Sequence, residues 1–391
     1  VTPARDSAVD TAWIVAATRT PFTRAGKGAL AAARPDDLLA TLFRRLIAEL
    51  PPGGLDALDE VIVGCAYPEA EQGRNVARAI ALASGIPDRV AAMTLTRMCA
   101  SSLEATAIAC AKVRLGEARL VLVGGMESMT RIPMGGVKPS PNPEWLAHRP
   151  EIYMAMGETA ERVAKRYGIA RADQDAWALR SHQRAATARE RGVFAEEITR
   201  VTAPAADGGA TDVCADDAIR AETSLEKLGT LAPAFDPAGS VTAGNACPTS
   251  DGASALLVAS TAVTERLGLE PLGRFVSYAV AGVDPALMGI GPVEAVPLAL
   301  ARAGLSIEQI DRIELNEAFA SQVLAVSHAL DLPEERLNVN GGALALGHPL
   351  GASGARLVGT LLRELQRSDG RYGLATLCVG GGMGVAMVVR K

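Results

Sequence analysis

The chain has 391 residues, 49% of them hydrophobic, with a formal charge of −5 and a pI near 5.6. That length and apolar content can supply two or more cooperating cores. An acidic balance with no basic block argues against a nucleic-acid partner, and 4% aromatic residues leave few platforms for stacking bases.

Abundant alanine and glycine suit close packing of helices on sheets. Cys65, Cys99, Cys110, Cys214, Cys247 and Cys378 form no CxxC pair and have no metal-like spacing to the four histidines, so no metal site is expected. The opening Val1-Thr2-Pro3-Ala4-Arg5-Asp6-Ser7 lacks the apolar core of a secretory signal. No apolar run is read as long enough to span a membrane. The expectation is a cytoplasmic protein with free thiols.

Along the chain, Trp13-Ile14-Val15-Ala16-Ala17 is a short β-favouring run. A helical pattern opens at Asp37-Leu38-Leu39, continues through Leu42, Phe43, Leu46 and Ile47, and stops at Pro51-Pro52-Gly53-Gly54. Val61-Ile62-Val63 predicts a buried strand, residues 75–84 a helix, the stretch after Cys99 through Lys112 a helix, and Leu120-Val121-Leu122-Val123 another strand. The same plan returns later: a strand at Phe275-Val276-Ser277-Tyr278, a helix over 293–303 and a strand at Ile313-Glu314-Leu315. A helix follows from Gly351 to about 365, then a strand at Ala375-Thr376-Leu377.

Such alternation argues for α/β layers. Val121-Leu122-Val123-Gly124-Gly125-Met126 and Cys378-Val379-Gly380-Gly381-Gly382-Met383 look like related endings, which points to an internal duplication. Alternation alone is also common to all α/β proteins. Residues 125–250 differ in texture, with prolines, charged helices over 158–167 and 171–191, and a Gly/Ala/Asp-rich stretch at 205–212. The division is therefore 1–124 for a first half whose last part follows the insertion, 125–250 for an inserted loop domain able to cover a cleft, and 251–391 for a second half.

Four separated motifs hold complementary reactive groups. Met98-Cys99-Ala100-Ser101-Ser102 reads as a turn feeding a helix, where a thiol gains thiolate character from unpaired N–H groups and the dipole. A buried structural cysteine would read the same way in isolation. His348 sits in Gly347-His348-Pro349 among glycines that permit a tight loop and close approach of a ligand. Asn316, in Asn316-Glu317-Ala318-Phe319, directly follows a predicted strand and could cap a helix or present its amide. Cys378 ends an apolar strand before Gly380, and an environment that tunes its thiol would let it exchange a proton near neutral pH.

In order and spacing, these four motifs resemble those of the thiolases, and the resemblance runs nearly end to end. It implies two similar α/β halves in a five-layer αβαβα arrangement with an inserted, CoA-binding loop domain. Cys99 is then the nucleophile, and His348 activates it and lends an N–H to an oxyanion hole. Asn316 holds a water that completes that hole. Cys378 is the acid/base, while the N–H groups of Gly380 and Cys99 form a second oxyanion hole. Asn316 and Cys378 set the chain apart from decarboxylating condensing enzymes of the same fold, which carry histidine at the position of Asn316.

The implied reaction is reversible cleavage of a 3-ketoacyl-CoA by CoA through an acyl-thioester on Cys99. Coenzyme A is a co-substrate, no cofactor is permanently bound, and a homodimer or homotetramer is implied. A non-catalytic carrier or scaffold on this fold would be expected to have lost a reactive position, and none is lost.

For CoA contacts, the resemblance points to Arg220 near the nucleotide and to Ala243 and Ala246, in Ser240-Val241-Thr242-Ala243-Gly244-Asn245-Ala246, near the pantetheine. Cys247 stands where many thiolases have a serine that contacts CoA, and a thiol is the poorer hydrogen-bond donor. Met288 matches a position lining the acyl pocket. Ala155-Met156-Gly157 replaces the His-Met-Gly of short-chain, acetoacetyl-CoA-forming thiolases, so a broad degradative 3-ketoacyl-CoA thiolase is favoured over an acetoacetyl-CoA-specific biosynthetic enzyme.

Overall fold

A computed structural model describes residues 9–204 and 208–391. The opening residues and the start of the 205–212 stretch lie outside the described residues. The first half runs β1 (Trp13–Arg19), β2 (Thr23–Arg24), α1 (Pro35–Ala48), α2 (Gly54–Ala57), β3 (Leu58–Cys65), α3 (Val76–Ala83), β4 (Ala91–Leu95), α4 (Ser101–Arg114) and β5 (Leu120–Ser128). Between the halves lie α5 (Pro143–His148), α6 (Met156–Tyr167), α7 (Arg171–Glu190), the antiparallel pair β6 (Val201–Pro204) and β7 (Ala210–Val213), and α8 (Leu225–Gly229). The chain then returns through β8 (Ser250–Ala259) and α9 (Thr261–Leu267). The second half is β9 (Gly273–Gly282), α10 (Gly291–Ala303), β10 (Arg312–Leu315), α11 (Ala320–Ala329), α12 (Ala343–Leu346), α13 (Ser353–Arg367), β11 (Tyr372–Val379) and β12 (Met383–Arg390).

The duplication is visible in strand order. One sheet runs β4-β3-β5-β8-β1 and the other β10-β11-β12-β9, joined where Trp13 and Ile14 of β1 pair with Arg274 and Gly273 of β9. Pairing senses match: β3–β5 and β10–β11 are parallel, while β5–β8 and β8–β1 mirror the antiparallel β11–β12 and β12–β9. Even β4 has a vestige in the second half, a parallel bridge from Ile313 to Leu337 beside β10.

Helices fill three layers around these sheets. α1 and α3 cover the outer face of the first, α10 and α11 that of the second, and α4 and α13 pack on each other between them. The buried apolar clusters follow the same plan, one under α1 and α3, one around α4 and α13, and one under α10 and α11. Every residue of β5 and β8 is buried, as both faces are covered, which explains their unbroken apolar runs.

Local chemistry accounts for the elements. α1 starts with Pro35 in its first turn and Asp36 and Asp37 beside the positive end of its dipole, and buries Leu38, Leu39, Leu42, Phe43 and Leu46 on one face. α4 lies so close to β3 that a Cβ on Gly64 would come within 2.3 Å of the Ser101 carbonyl carbon. Glycine there seats the start of α4, and with it Cys99, against the sheet.

Two expectations change. β5 continues through Ser128, so the first sheet reaches past residue 124. Pro285–Ala303 is a 19-residue helical stretch of mean hydropathy 1.3, long and apolar enough by length and composition to cross a membrane. Half of it is buried, it is kinked at Leu287, and α10 packs on β9, β11 and β12, so its apolar character serves the core.

Candidate active site

The reactive motifs meet at the carboxyl ends of the parallel strands, around the amino ends of the central helices. Cys99 sits in a 3-10 turn (Met98–Ala100) just before α4, and Met98 takes a left-handed φ of 46° to make that turn. A matching 3-10 turn, Leu350–Ala352, precedes α13 and packs against it. Cys99 is 8% exposed and shares a small apolar cluster with Ala66, Met129 and Leu350.

His348 is 3% exposed, held by its N–H donating to Ser250 Oγ at 3.1 Å. Asn316, fully buried past the end of β10, places Nδ2 3.2 Å from His348 Nε2. On the other side of the ring, His348 Nδ1 lies 2.6 Å from Ser353 Oγ. Asn316 Oδ1 is buried and finds no protein donor among the described residues.

Burial pushes the Cys99 thiol up to about 11, against the pull of the Gly380 N–H that faces its sulfur, and the Glu127 carboxylate raises it further. Position before a helix was expected to favour the thiolate; desolvation of a charged sulfur outweighs it here. His348 moves the opposite way, to about 3, through burial and then the nearby positive charge of Arg356. The resting pair is thus neutral thiol and neutral imidazole at pH 7. Cys378 is raised well above its ordinary value by burial and then by the Cys99 and Cys247 sulfurs, which is not the near-neutral thiol expected of it. Cys247 is raised to about 12, again by burial and then by Cys99. Cys99, Cys247 and Cys378 therefore share one electrostatic neighbourhood.

Among the expected CoA and acyl contacts, Met288 and Ala246 join Cys378, Ala318 and Phe319 in one apolar cluster, with Met156 against it. The Cys247 N–H donates to the Ala318 carbonyl at 3.0 Å, and Thr249 bridges to His348, so this segment runs between the Asn316 and His348 loops. Phe235, from the insertion, packs edge-on against Phe319 at 6.1 Å and 81°. Ala243 is exposed nearby. Arg220 lies apart from the reactive groups, in an open cleft of about 430 Å³ that also holds Thr223, Lys227 and Leu231. Its N–H donates to His182 Nδ1 at 3.2 Å.

Several supporting residues escaped the sequence reading. Glu127, fully buried on β5, accepts from the N–H groups of Ala66 and Gly351 at 2.8 and 2.9 Å and from Gln72 Nε2 at 2.6 Å. Glu317 accepts from Trp177 Nε1 and Ser181 Oγ of α7 at 3.0 and 2.6 Å, tying the insertion to the Asn316 loop. The available signal was a charged residue inside or beside an apolar strand, which must find partners if buried.

The thiolase N-terminal domain family matches residues 12–262, and the thiolase C-terminal domain family matches 269–391. A 3-ketoacyl-CoA thiolase of Bacillus subtilis is 47% identical over 386 residues, 96% of this chain and 98% of that protein. The 3-oxoadipyl-CoA/3-oxo-5,6-dehydrosuberyl-CoA thiolase of Escherichia coli is 44% identical over 97% of this chain and 99% of its own. Human mitochondrial 3-ketoacyl-CoA thiolase superposes with a TM-score of 0.89 at 36% identity, covering 98% of this chain and 100% of that one. The same human enzyme in complex with CoA gives 0.88 at 36% identity, over 98% of each chain. By family domains, near full-length identity and fold, this chain belongs to the thiolase family.

Proposed function

We propose that the chain cleaves 3-ketoacyl-CoA with CoA, giving acetyl-CoA and an acyl-CoA shortened by that unit, as a broad degradative thiolase. The observation that carries this reading is Asn316 Nδ2 at 3.2 Å from the Nε2 of a buried, neutral His348, in a loop packed against Cys99. A buried thiol held high needs a base when it attacks, and a low-pKa imidazole becomes useful when charge builds nearby.

In the first step, Cys99 gives its proton to His348 Nε2 and its sulfur attacks the 3-keto carbon. The oxyanion formed there is met by the His348 N–H and by a water on Asn316, whose buried Oδ1 suits that partner. The C2–C3 bond then breaks and Cys378 protonates the enolate of acetyl-CoA, leaving the acyl group on Cys99. An incoming CoA thiol loses its proton to Cys378 and attacks this thioester. The second oxyanion is met by the N–H groups of Cys99 and Gly380, each donor of this kind contributing about 3–4 kcal/mol. Finally the Cys99 thiolate leaves and takes back from His348 Nε2 the proton it gave in the first step. Reversal of the same steps is a Claisen condensation.

Residues 125–250 serve as the loop domain that receives CoA, with Arg220 towards the nucleotide, Ala243, Ala246 and Cys247 along the pantetheine, and Met288 against the acyl group. The CoA complex of the human relative supports this choice of ligand. A homodimer or homotetramer in the cytoplasm completes the proposal.

The test is CoA-dependent thiolysis by purified protein of acetoacetyl-CoA and of a medium-chain 3-ketoacyl-CoA, with Cys99→Ala as control. Cleavage of both, the longer at least as fast, is expected. Activity on acetoacetyl-CoA alone would assign the short-chain enzyme instead, and an unaffected Cys99→Ala would overturn the mechanism.

A further inference from the structure

A neutral imidazole is a base at only one of its nitrogens, so catalysis by His348 depends on which nitrogen carries the proton. His348 Nδ1 lies 2.6 Å from Ser353 Oγ, and both residues are buried. Ser353 Oγ in turn donates to the Pro349 carbonyl at 3.0 Å. A hydroxyl has one proton. With that proton directed at Pro349, the oxygen presents lone pairs to Nδ1, which must then be the protonated nitrogen. The far side of the ring agrees: Asn316 Nδ2 is only a donor, and it sits 3.2 Å from Nε2, which must accept. Donation therefore runs in one direction, from Asn316 to His348 to Ser353 to Pro349.

The backbone fixes this chain of bonds. Ser353 is the first residue of α13, and the N–H groups of Ala352 and Ser353 also close onto the Pro349 carbonyl, at 2.9 and 3.1 Å. The turn cannot loosen around Ser353 without breaking all three bonds.

We infer that Ser353 is a positioning residue that holds His348 as the Nδ1–H tautomer and so keeps Nε2 unprotonated, able to exchange its bond from Asn316 for the Cys99 proton. It acts only through His348 and needs no contact with substrate. The inference rests on the reading of His348 as the base.

The experiment is ¹⁵N-histidine NMR on the substrate-free enzyme at neutral pH, joined to steady-state thiolysis. Only four histidines are present, and His348→Asn identifies the His348 signals. Wild type should show protonated Nδ1 and unprotonated Nε2. Ser353→Ala should give a mixture of tautomers and a kcat lower by about tenfold with KM within about twofold, the loss of one orienting hydrogen bond. Ser353→Thr, which keeps the hydroxyl, should retain the wild-type tautomer and most of kcat. A wild-type ring protonated at Nε2 would overturn the inference, as would an unchanged tautomer in folded Ser353→Ala or a threonine variant no better than alanine. The spectra need no substrate, so failure of wild-type thiolysis would refute the thiolase reading separately.

Discussion

Replacing Glu127 by glutamine tests how the wall behind Cys99 is held. One carboxylate oxygen accepts from the Ala66 and Gly351 N–H groups at 2.8 and 2.9 Å, the other from Gln72 Nε2 and the Tyr67 N–H at 2.6 and 3.3 Å. Glutamine keeps the shape but has a single acceptor oxygen, and its NH₂ would face donors on whichever side it is turned. Gln72 cannot simply rotate to help, because its own Oε1 accepts from the Ser128 N–H at 2.7 Å. With the amide nitrogen turned towards Gln72, that side chain keeps the Tyr67 carbonyl at 2.9 Å and Cys65 Sγ at 3.2 Å, so the Tyr67 N–H is the donor left stranded, at about 1–3 kcal/mol. That is a measurable part of the about 5–15 kcal/mol that stabilises a typical domain. A second effect has the opposite sign: the Glu127 charge raises the Cys99 thiol, so its removal makes that thiol more acidic. Urea unfolding and mass-mapped alkylation of Cys99 at fixed pH read the two effects separately. The expected variant unfolds at lower urea and labels faster at Cys99. An unchanged midpoint would refute the hydrogen-bond reasoning, and slower labelling of the folded variant would refute the electrostatic one.

Cys247→Ser restores a hydroxyl between the Asn316 and His348 loops; KM for CoA should fall about two- to fivefold, one modest hydrogen bond, with kcat nearly unchanged, and an unaltered KM would remove Cys247 from the CoA contacts. With Cys99 raised to about 11 and His348 lowered to about 3, alkylation of the free enzyme at Cys99 should still be rising with pH at pH 9. A plateau below pH 8 would reveal a resting thiolate and contradict the neutral pair. His348 and His182 are both lowered by burial, to about 3 and about 4. Their unfolded forms take protons first, so the stability they contribute is complete above about pH 6.5 and drains as pH falls, by about 1.4 kcal/mol per unit for each. Unfolding of His348→Asn followed from pH 6.5 to 4.5 should lose stability less steeply than wild type by that amount, and identical slopes would refute the assignment.

What was legible in the sequence was whatever the chain writes contiguously. Alternating apolar runs and their stops gave the α/β halves, and Cys99, Asn316, His348 and Cys378 each stood in a short motif whose neighbours carried meaning. Properties that arise only when distant segments meet were not legible. The turn before α4 favours a thiolate, yet closure by Ala66, Met129 and Leu350 desolvates the sulfur and reverses the sign. Ser353 stood in view five residues after His348, but its bond to Nδ1 exists only because Pro349 and the start of α13 fold it back. Pro285–Ala303 passes a membrane test by length and composition, and only its packing on the back of a sheet tells it from a spanning helix.

The duplication also explains why the site lies where it does. Equivalent helices α4 and α13 pack on each other in the middle layer, and the 3-10 turns before them meet. One turn carries Cys99 and the other follows His348, so nucleophile and base come from corresponding places in the two halves. The strand ends around them divide the work. Those of the first half, at Cys65 and Glu127, hold an acceptor network that grips Ala66 and reaches across to Gly351 of the second half. Those of the second half present Asn316 and Cys378. A structural carboxylate on one side, and a neutral amide and thiol facing the site on the other, follow from this division. Glu127 binds the turn after His348 to the strand beside Cys99, so loosening it would separate thiol from imidazole before it unfolded either half.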